Sequence, residues 1–212
     1  MTLQLVIGNK NYSSWSLRAW LALELTGEPY EEVQVSLFAQ GSRARLLEHS
    51  ASGKVPVLKC EQGVIWDSLA IAEYLAETYP EAHLWPRDVM PRAFARSVCA
   101  EMHSGFTALR SALPMNLRHN QALSEVPEGV QADIQRICAI WAECRSRCGQ
   151  DGPFLFGHAS VADAFYAPVA ARLRSYGVAL PAEAQAYVEC IYQWPLFQRW
   201  YQAALAETEV CS

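Results

Sequence analysis

Every convincing strand signal in this 212-residue chain falls before residue 67, and the remainder reads as helix. Leu3 to Ile7 is a short apolar run, and Tyr30 to Val35 alternates apolar with polar residues as a half-buried strand does. Val55 to Cys60 and Val64 to Trp66 are two further strands, joined by a turn around Gln62 and Gly63. Helical signals lie between and after them. Trp15 to Thr26 carries Trp15, Leu17, Trp20, Leu21 and Leu23 at helical spacing, with Gly27 placed to stop it. Arg43 to His49 is a short helix or irregular, and Asp67 to Thr78 has an apolar stripe of Leu69, Ile71, Ala72, Tyr74 and Leu75. The order β-α-β-(α)-β-β-α restricts the first 80 residues to a βαβ unit with parallel strands, followed by an antiparallel hairpin backed by a helix.

That order is the thioredoxin-like arrangement. Two prolines and several polar residues in His83 to Pro91 mark a linker, so the expected organisation is an α/β thioredoxin-like domain over 1–80, a linker over 81–90 and an all-helical domain over 91–212. Helices are expected near 91–113, 128–148, 160–176, 182–192 and 196–206, separated by Pro114, Pro127, Gly149, Gly152, Pro153, Gly177, Pro181 and Pro195.

Composition narrows the function classes. With 51% hydrophobic residues the chain can bury a sizeable core. Its net charge is −5 and it has no basic block or stripe, which argues against a nucleic-acid partner. The opening run MTLQLVIGNK lacks the charged region and small-residue cleavage site of a signal peptide, and no stretch approaches the roughly 18 apolar residues of a membrane span. Seven cysteines without a CxxC pair fit a reducing, cytoplasmic setting. Cys144 and Cys148 share a helical face, but no histidine or carboxylate cluster completes a metal site, so a structural role and no metal are expected.

Four segments, in order, carry a resemblance: Asn11-Tyr12-Ser13-Ser14-Trp15-Ser16-Leu17-Arg18 before and into the first helix, Gly53-Lys54-Val55-Pro56-Val57-Leu58, Trp66-Asp67-Ser68-Leu69-Ala70-Ile71-Ala72-Glu73-Tyr74-Leu75, and Gly157-His158-Ala159-Ser160-Val161-Ala162-Asp163. Together they resemble the cytosolic glutathione transferase superfamily over nearly the whole chain. The nearest motif is the zeta class, the maleylacetoacetate isomerases, whose Ser-Ser-Cys-Ser-Trp-Arg segment has Trp15 in place of its cysteine in this chain. The implied fold is that of glutathione transferases, with glutathione as co-substrate, a small electrophile as partner and a homodimer as assembly.

The resemblance also implies roles. Glutathione's thiol has a pKa near 8.5, so the protein must favour its thiolate. Ser13 and Ser14 lie just before a helix, where unpaired N–H groups and the helix dipole favour an anion. Ser13 is the preferred thiolate partner, because fourteen residues separate it from Gly27, the spacing of the catalytic serine in the zeta and delta classes. Ser14 is its rival, and both equally suit a helix cap. Val55 and Pro56 resemble the family's cis-proline turn, which pairs with the cysteinyl backbone of glutathione. Lys54 faces the glycine carboxylate or is a solvated loop charge, and Asp67 and Ser68 meet the γ-glutamyl group at a helix start. Ser160 and Asp163 read as a capping box with a structural role.

The electrophile site is expected between the domains, beside Trp15. His103, Phe106 and Arg110 share a face if the helix there is continuous, and Asn116 matches a zeta-class asparagine near the substrate. Arg110 or Arg118 suits the carboxylate of an acidic electrophile, or pairs with acidic neighbours on the surface. Three functions stand as expectations: detoxifying conjugation of glutathione to an electrophile, glutathione-dependent cis–trans isomerisation, or a non-catalytic binding protein on the same fold.

Overall fold

The computed structural model describes residues 3–211. Its sheet is built from β1 (Leu3–Ile7), β2 (Tyr30–Gln34), β3 (Val57–Cys60) and β4 (Gly63–Trp66), in the order β2-β1-β3-β4. β1 and β2 run parallel, whereas β3 is antiparallel to both β1 and β4. Period-two alternation divides β1 between two cores. Leu3, Leu5 and Ile7 enter the main core, while Val6 turns to a small cluster with Val35, Leu46 and Val57.

Helices α1 (Ser14–Glu24), α2 (Ser42–His49) and α3 (Ser68–Thr78) complete this first unit. A single 3-10 turn, Pro80–Ala82, leads to α4 (Val89–Ser104), α5 (Thr107–Ala112), α6 (Glu128–Cys148), α7 (Val161–Ser175), α8 (Ala182–Gln193) and α9 (Pro195–Ala206). Among the described residues no strand comes after β4; only isolated bridges occur, at Phe154–Gly157 and Phe156–His158.

Nearly every residue of α7 is buried, including the ionisable Asp163 near its start and Arg172 near its end, and most of the rest are apolar. It packs against α1 on one side and α4 and α8 on the others, so the two units share one continuous core. Each large apolar side chain withdrawn there contributes about 1.5–3 kcal/mol of transfer free energy. The expected capping box is present: Ser160 N–H and the Ser160 hydroxyl both donate to Asp163 Oδ2 at 3.0 Å.

One expectation fails. The stretch 91–113 is not a single helix, because α4 ends at Ser104 and α5 begins at Thr107. Gly105 N–H closes the end by donating to Glu101 O, and a Cβ on Gly105 would lie 2.7 Å from that same oxygen. Phe106 then adopts φ +57, the left-handed region, with its ring in the core. His103, Phe106 and Arg110 therefore do not share a helical face.

Candidate active site

The start of α1 is the natural focus. The loop before it is tied down at both ends: Ser13 N–H donates to Asn9 O at 2.8 Å, and Leu37 N–H donates to Asn9 Oδ1 at 2.8 Å. Ser13 is the N-cap, with its oxygen accepting from Ser16 N–H at 3.3 Å and its hydroxyl donating to Ser16 Oγ at 2.7 Å. Ser14 opens the helix itself, and its oxygen accepts from Arg172 Nη2 of α7 at 3.2 Å. Both serines are largely buried.

A cavity of about 560 Å³ is lined by Trp15, Ser52, Lys54, Val55, Pro56, Trp66, Asp67 and Ser68; Ser13 and Ser14 precede Trp15 in the chain but are not among its lining residues. The Val55–Pro56 peptide bond is cis. Lys54 is exposed at the rim. Asp67 caps α3: its Oδ1 accepts from Leu69 N–H at 2.8 Å, and its backbone sits at φ +76, unusual for an aspartate. Ser68 is fully buried, and its hydroxyl oxygen has no hydrogen-bond partner among the described residues. An unmatched buried polar atom in a cavity wall is costly unless a ligand meets it. The sequence thus brings Trp15, Lys54, Val55, Pro56, Asp67 and Ser68 to one cavity, although they come from three separate segments.

Trp15 is the hub of the opposite wall. Its ring meets His103 edge-on at 5.1 Å, and the guanidinium carbons of Arg18 and Arg110 each lie 4.5 Å from its centroid. His103 reaches across from α4 to Asp67, with Nε2 3.2 Å from Oδ2. Burial is the main cause that lowers the His103 pKa; Asp67 pulls the other way, while Arg18 and Arg110 add to the lowering. Arg110 Nη1 donates to the carbonyls of His103 and Gly105, which are orphaned at the end of α4. So His103 and Arg110 converge on Trp15 despite the broken helix, whereas Phe106 serves the core.

Asn116 and Arg118 belong to a second cluster. Asn116 Oδ1 accepts from Asn11 Nδ2 at 2.9 Å and from Arg118 N–H at 3.2 Å, which fixes the loop before α1. Arg118 Nη2 donates to Tyr12 Oη at 3.0 Å, and its guanidinium also donates to the carbonyls of Glu207 and Glu209. Its donors hold the C-terminal segment instead of standing open to a ligand. Glu207 completes the strap by accepting from Lys10 and Asn11 N–H groups at 2.6 and 2.9 Å.

Two residues not singled out from the sequence dominate the electrostatics. Arg18 and Arg172 are almost wholly buried, and neither forms an ion pair among the described residues. Burial, aided by the nearby Arg172 and Arg110 charges, brings Arg18 down to about 9; burial and Arg110 bring Arg172 down to about 10. Both remain cations at neutral pH. An arginine set within an apolar helical run, as in Ala170-Ala171-Arg172-Leu173, is the signal that could have revealed it.

The fold and cavity define a glutathione transferase architecture, and comparisons with known proteins agree. Residues 12–78 match the family described as "Glutathione S-transferase, N-terminal domain", and residues 127–203 match "Glutathione S-transferase, C-terminal domain". The chain belongs to the glutathione transferase superfamily. A probable maleylacetoacetate isomerase of Caenorhabditis elegans is 37% identical over 105 residues, which span 50% of this chain and 49% of that protein. Maleylacetoacetate isomerase of Pseudomonas aeruginosa is 28% identical over 80% of this chain and 82% of its own length. A Burkholderia glutathione transferase homologue, solved with bound glutathione, superposes with a TM-score of 0.74 at 25% identity, covering 98% of this chain and 100% of that one.

Proposed function

We propose that this chain is a glutathione-dependent enzyme in which the thiolate, stabilised by the serine pair at the start of α1, attacks a small electrophile. The observation that carries this reading is the convergence of the Val55–Pro56 turn, the Asp67–Ser68 helix start and Trp15, the residue that follows Ser13 and Ser14, on one cavity. In this reading Val55 pairs with the cysteinyl backbone of glutathione, Ser68 and the α3 N-terminus take the γ-glutamyl carboxylate, Asp67 takes its ammonium, and Lys54 takes the glycine carboxylate. The likeness to a Burkholderia homologue with bound glutathione supports the ligand.

Conjugation and isomerisation share the first step, attack of the thiolate on an electrophilic carbon. In conjugation the adduct is released. In isomerisation the sulfur adds to a double bond, a bond rotation intervenes, and sulfur departs with its electron pair. The relatives named maleylacetoacetate isomerase favour a test of isomerisation as the second reading. The Trp15 group, with Arg110 and His103, is the proposed electrophile side, and a cation there suits an acidic, unsaturated compound.

We assign the protein to the cytoplasm, supported by seven free thiols. A homodimer is supported by exposed Val64 and Trp66 on β4, which sedimentation would check. The functional test is a glutathione titration followed by assays on acidic, unsaturated electrophiles. Saturable binding and turnover are expected. Binding without turnover on any such compound would favour a non-catalytic binding protein, and no binding at millimolar glutathione would contradict the reading.

A further inference from the structure

Asp67 and His103 join the two units across the site. Asp67 caps the start of α3 in the first unit, and His103 is the penultimate residue of α4 in the second. Their contact, Nε2 to Oδ2 at 3.2 Å, has one chemical sense. An ionised carboxylate accepts and cannot donate, so the imidazole proton lies on Nε2. The other ring nitrogen, Nδ1, is buried and has no hydrogen-bond partner among the described residues. A bare lone pair can stand there, whereas a second ring proton would be a buried donor without an acceptor. The ring is also held in place. Trp15 of α1 meets it edge-on at 5.1 Å, Phe165 of α7 lies at 6.2 Å, and Arg110 ties down the end of α4 through the His103 carbonyl.

The charged groups that face this ring are Asp67, Arg18 of α1 and Arg110 of α5. Burial first, and then the two guanidiniums, hold the His103 pKa below its ordinary value against the pull of Asp67. The imidazole is therefore neutral at neutral pH. That matters for Asp67, which lines the cavity with its side chain 43% exposed. Its Oδ1 accepts from Leu69 N–H and its Oδ2 from His103, and two carboxylate oxygens offer about four lone-pair sites, so acceptor capacity remains for a ligand. A neutral donor orients the carboxylate without cancelling its charge. A protonated ring would cancel that charge and set a cation beside any ammonium bound there.

We propose that His103 is a positioning residue for the γ-glutamyl end of glutathione: its neutral ring orients the Asp67 carboxylate towards the α-ammonium, and its protonation in mild acid closes that subsite. This rests on the glutathione reading above, in which Asp67 takes the ammonium.

The test uses S-methylglutathione, whose blocked sulfur removes the thiol titration, beside an analogue in which hydrogen replaces its α-amino group. Affinities are measured by calorimetry from about pH 7.5 to about pH 5 in the wild type, His103→Gln and His103→Ala, with thermal unfolding recorded alongside. In the wild type the Kd for S-methylglutathione should rise about threefold or more over that range, because binding the ammonium expels the His103 proton. The analogue without the amine should show little of this rise. His103→Gln keeps a side-chain N–H donor that does not titrate. It should lose the acid-dependent rise, and at the upper end of the range it should bind S-methylglutathione more tightly than His103→Ala does. A contact that only fastens the two units would affect both ligands alike. An equal pH profile for the two ligands, or a wild-type profile retained in His103→Gln, would therefore overturn the proposal while leaving the glutathione reading intact. If His103→Ala does not fold, His103→Gln and the two-ligand comparison decide the matter. Failure of the wild type to bind millimolar S-methylglutathione would overturn the reading beneath it as well.

Discussion

Asp163 and Arg172 lie nine residues apart on α7, both buried and both ionisable, and the two ends of that helix treat them differently. At the N-terminal end, Asp163 accepts four hydrogen bonds, from Leu155 N–H, Ser160 N–H, the Ser160 hydroxyl and the Tyr187 hydroxyl, at 3.0–3.1 Å. Those donors pull its pKa down, but burial wins and pushes it up to about 6. Every partner is part of the local scaffold. At the C-terminal end, Arg172 satisfies two carbonyls and then points its remaining hydrogen bond at a serine on another helix. A buried charge enclosed by its own surroundings is architecture. A buried charge without a counter-ion among the described residues, bonded to the first residue of a second helix, joins the two units next to the candidate site.

The largest effect expected from breaking this contrast is at Asp163. Asp163→Ala strips the acceptor from four buried donors and should destabilise the fold by about 3 kcal/mol or more, read by urea unfolding. In the molecules that remain folded, the thiol pKa of bound glutathione should not move. Ser14→Ala leaves the buried Arg172 Nη2 without its acceptor and should cost about 1–3 kcal/mol, read by the same unfolding. Ser13→Ala should cost about 1 kcal/mol as a lost helix cap and, if its hydroxyl meets the glutathione sulfur, lower kcat/KM by about a hundredfold, the scale of one lost transition-state donor.

The smallest effect concerns pH. Because the His103 pKa is lowered in the folded protein, chiefly by burial, the unfolded chain binds protons there first as pH falls. The stability this residue supports is complete above about pH 6.5 and is lost as pH drops through that value towards the folded pKa. Unfolding of wild type and His103→Gln should therefore differ most above pH 6.5 and converge under mild acid. A difference that grows on acidification would show that Asp67, rather than burial, governs this histidine.

Much of this was legible in the sequence, for identifiable reasons. The strands and helices of the first unit arise from local periodicity, and α6 from Glu128 to Cys148 from an uninterrupted amphipathic run between Pro127 and Gly149. The cavity-lining residues are legible because short motifs carry their own turn chemistry. The break between α4 and α5 is hidden because Phe106 has no intrinsic preference for its left-handed backbone; Gly105 is the clue. The strap that engages Arg118 is out of reach of sequence reasoning, since Glu207 contacts Asn11 across 196 positions and only tertiary structure joins them. The pairing of Arg172 is hidden for the same reason: its partner Ser14 is 158 residues away.

The central claim is that the serine pair at the start of α1 holds the glutathione thiolate. It is tested most directly by measuring the thiol pKa of bound glutathione in the wild type, Ser13→Ala and Ser14→Ala side by side. The wild type should hold the thiol well below its free value, and at least one of the two variants should return it towards that value. A bound thiol that titrates as in free solution in the wild type, or that stays ionised in both variants, would contradict the account.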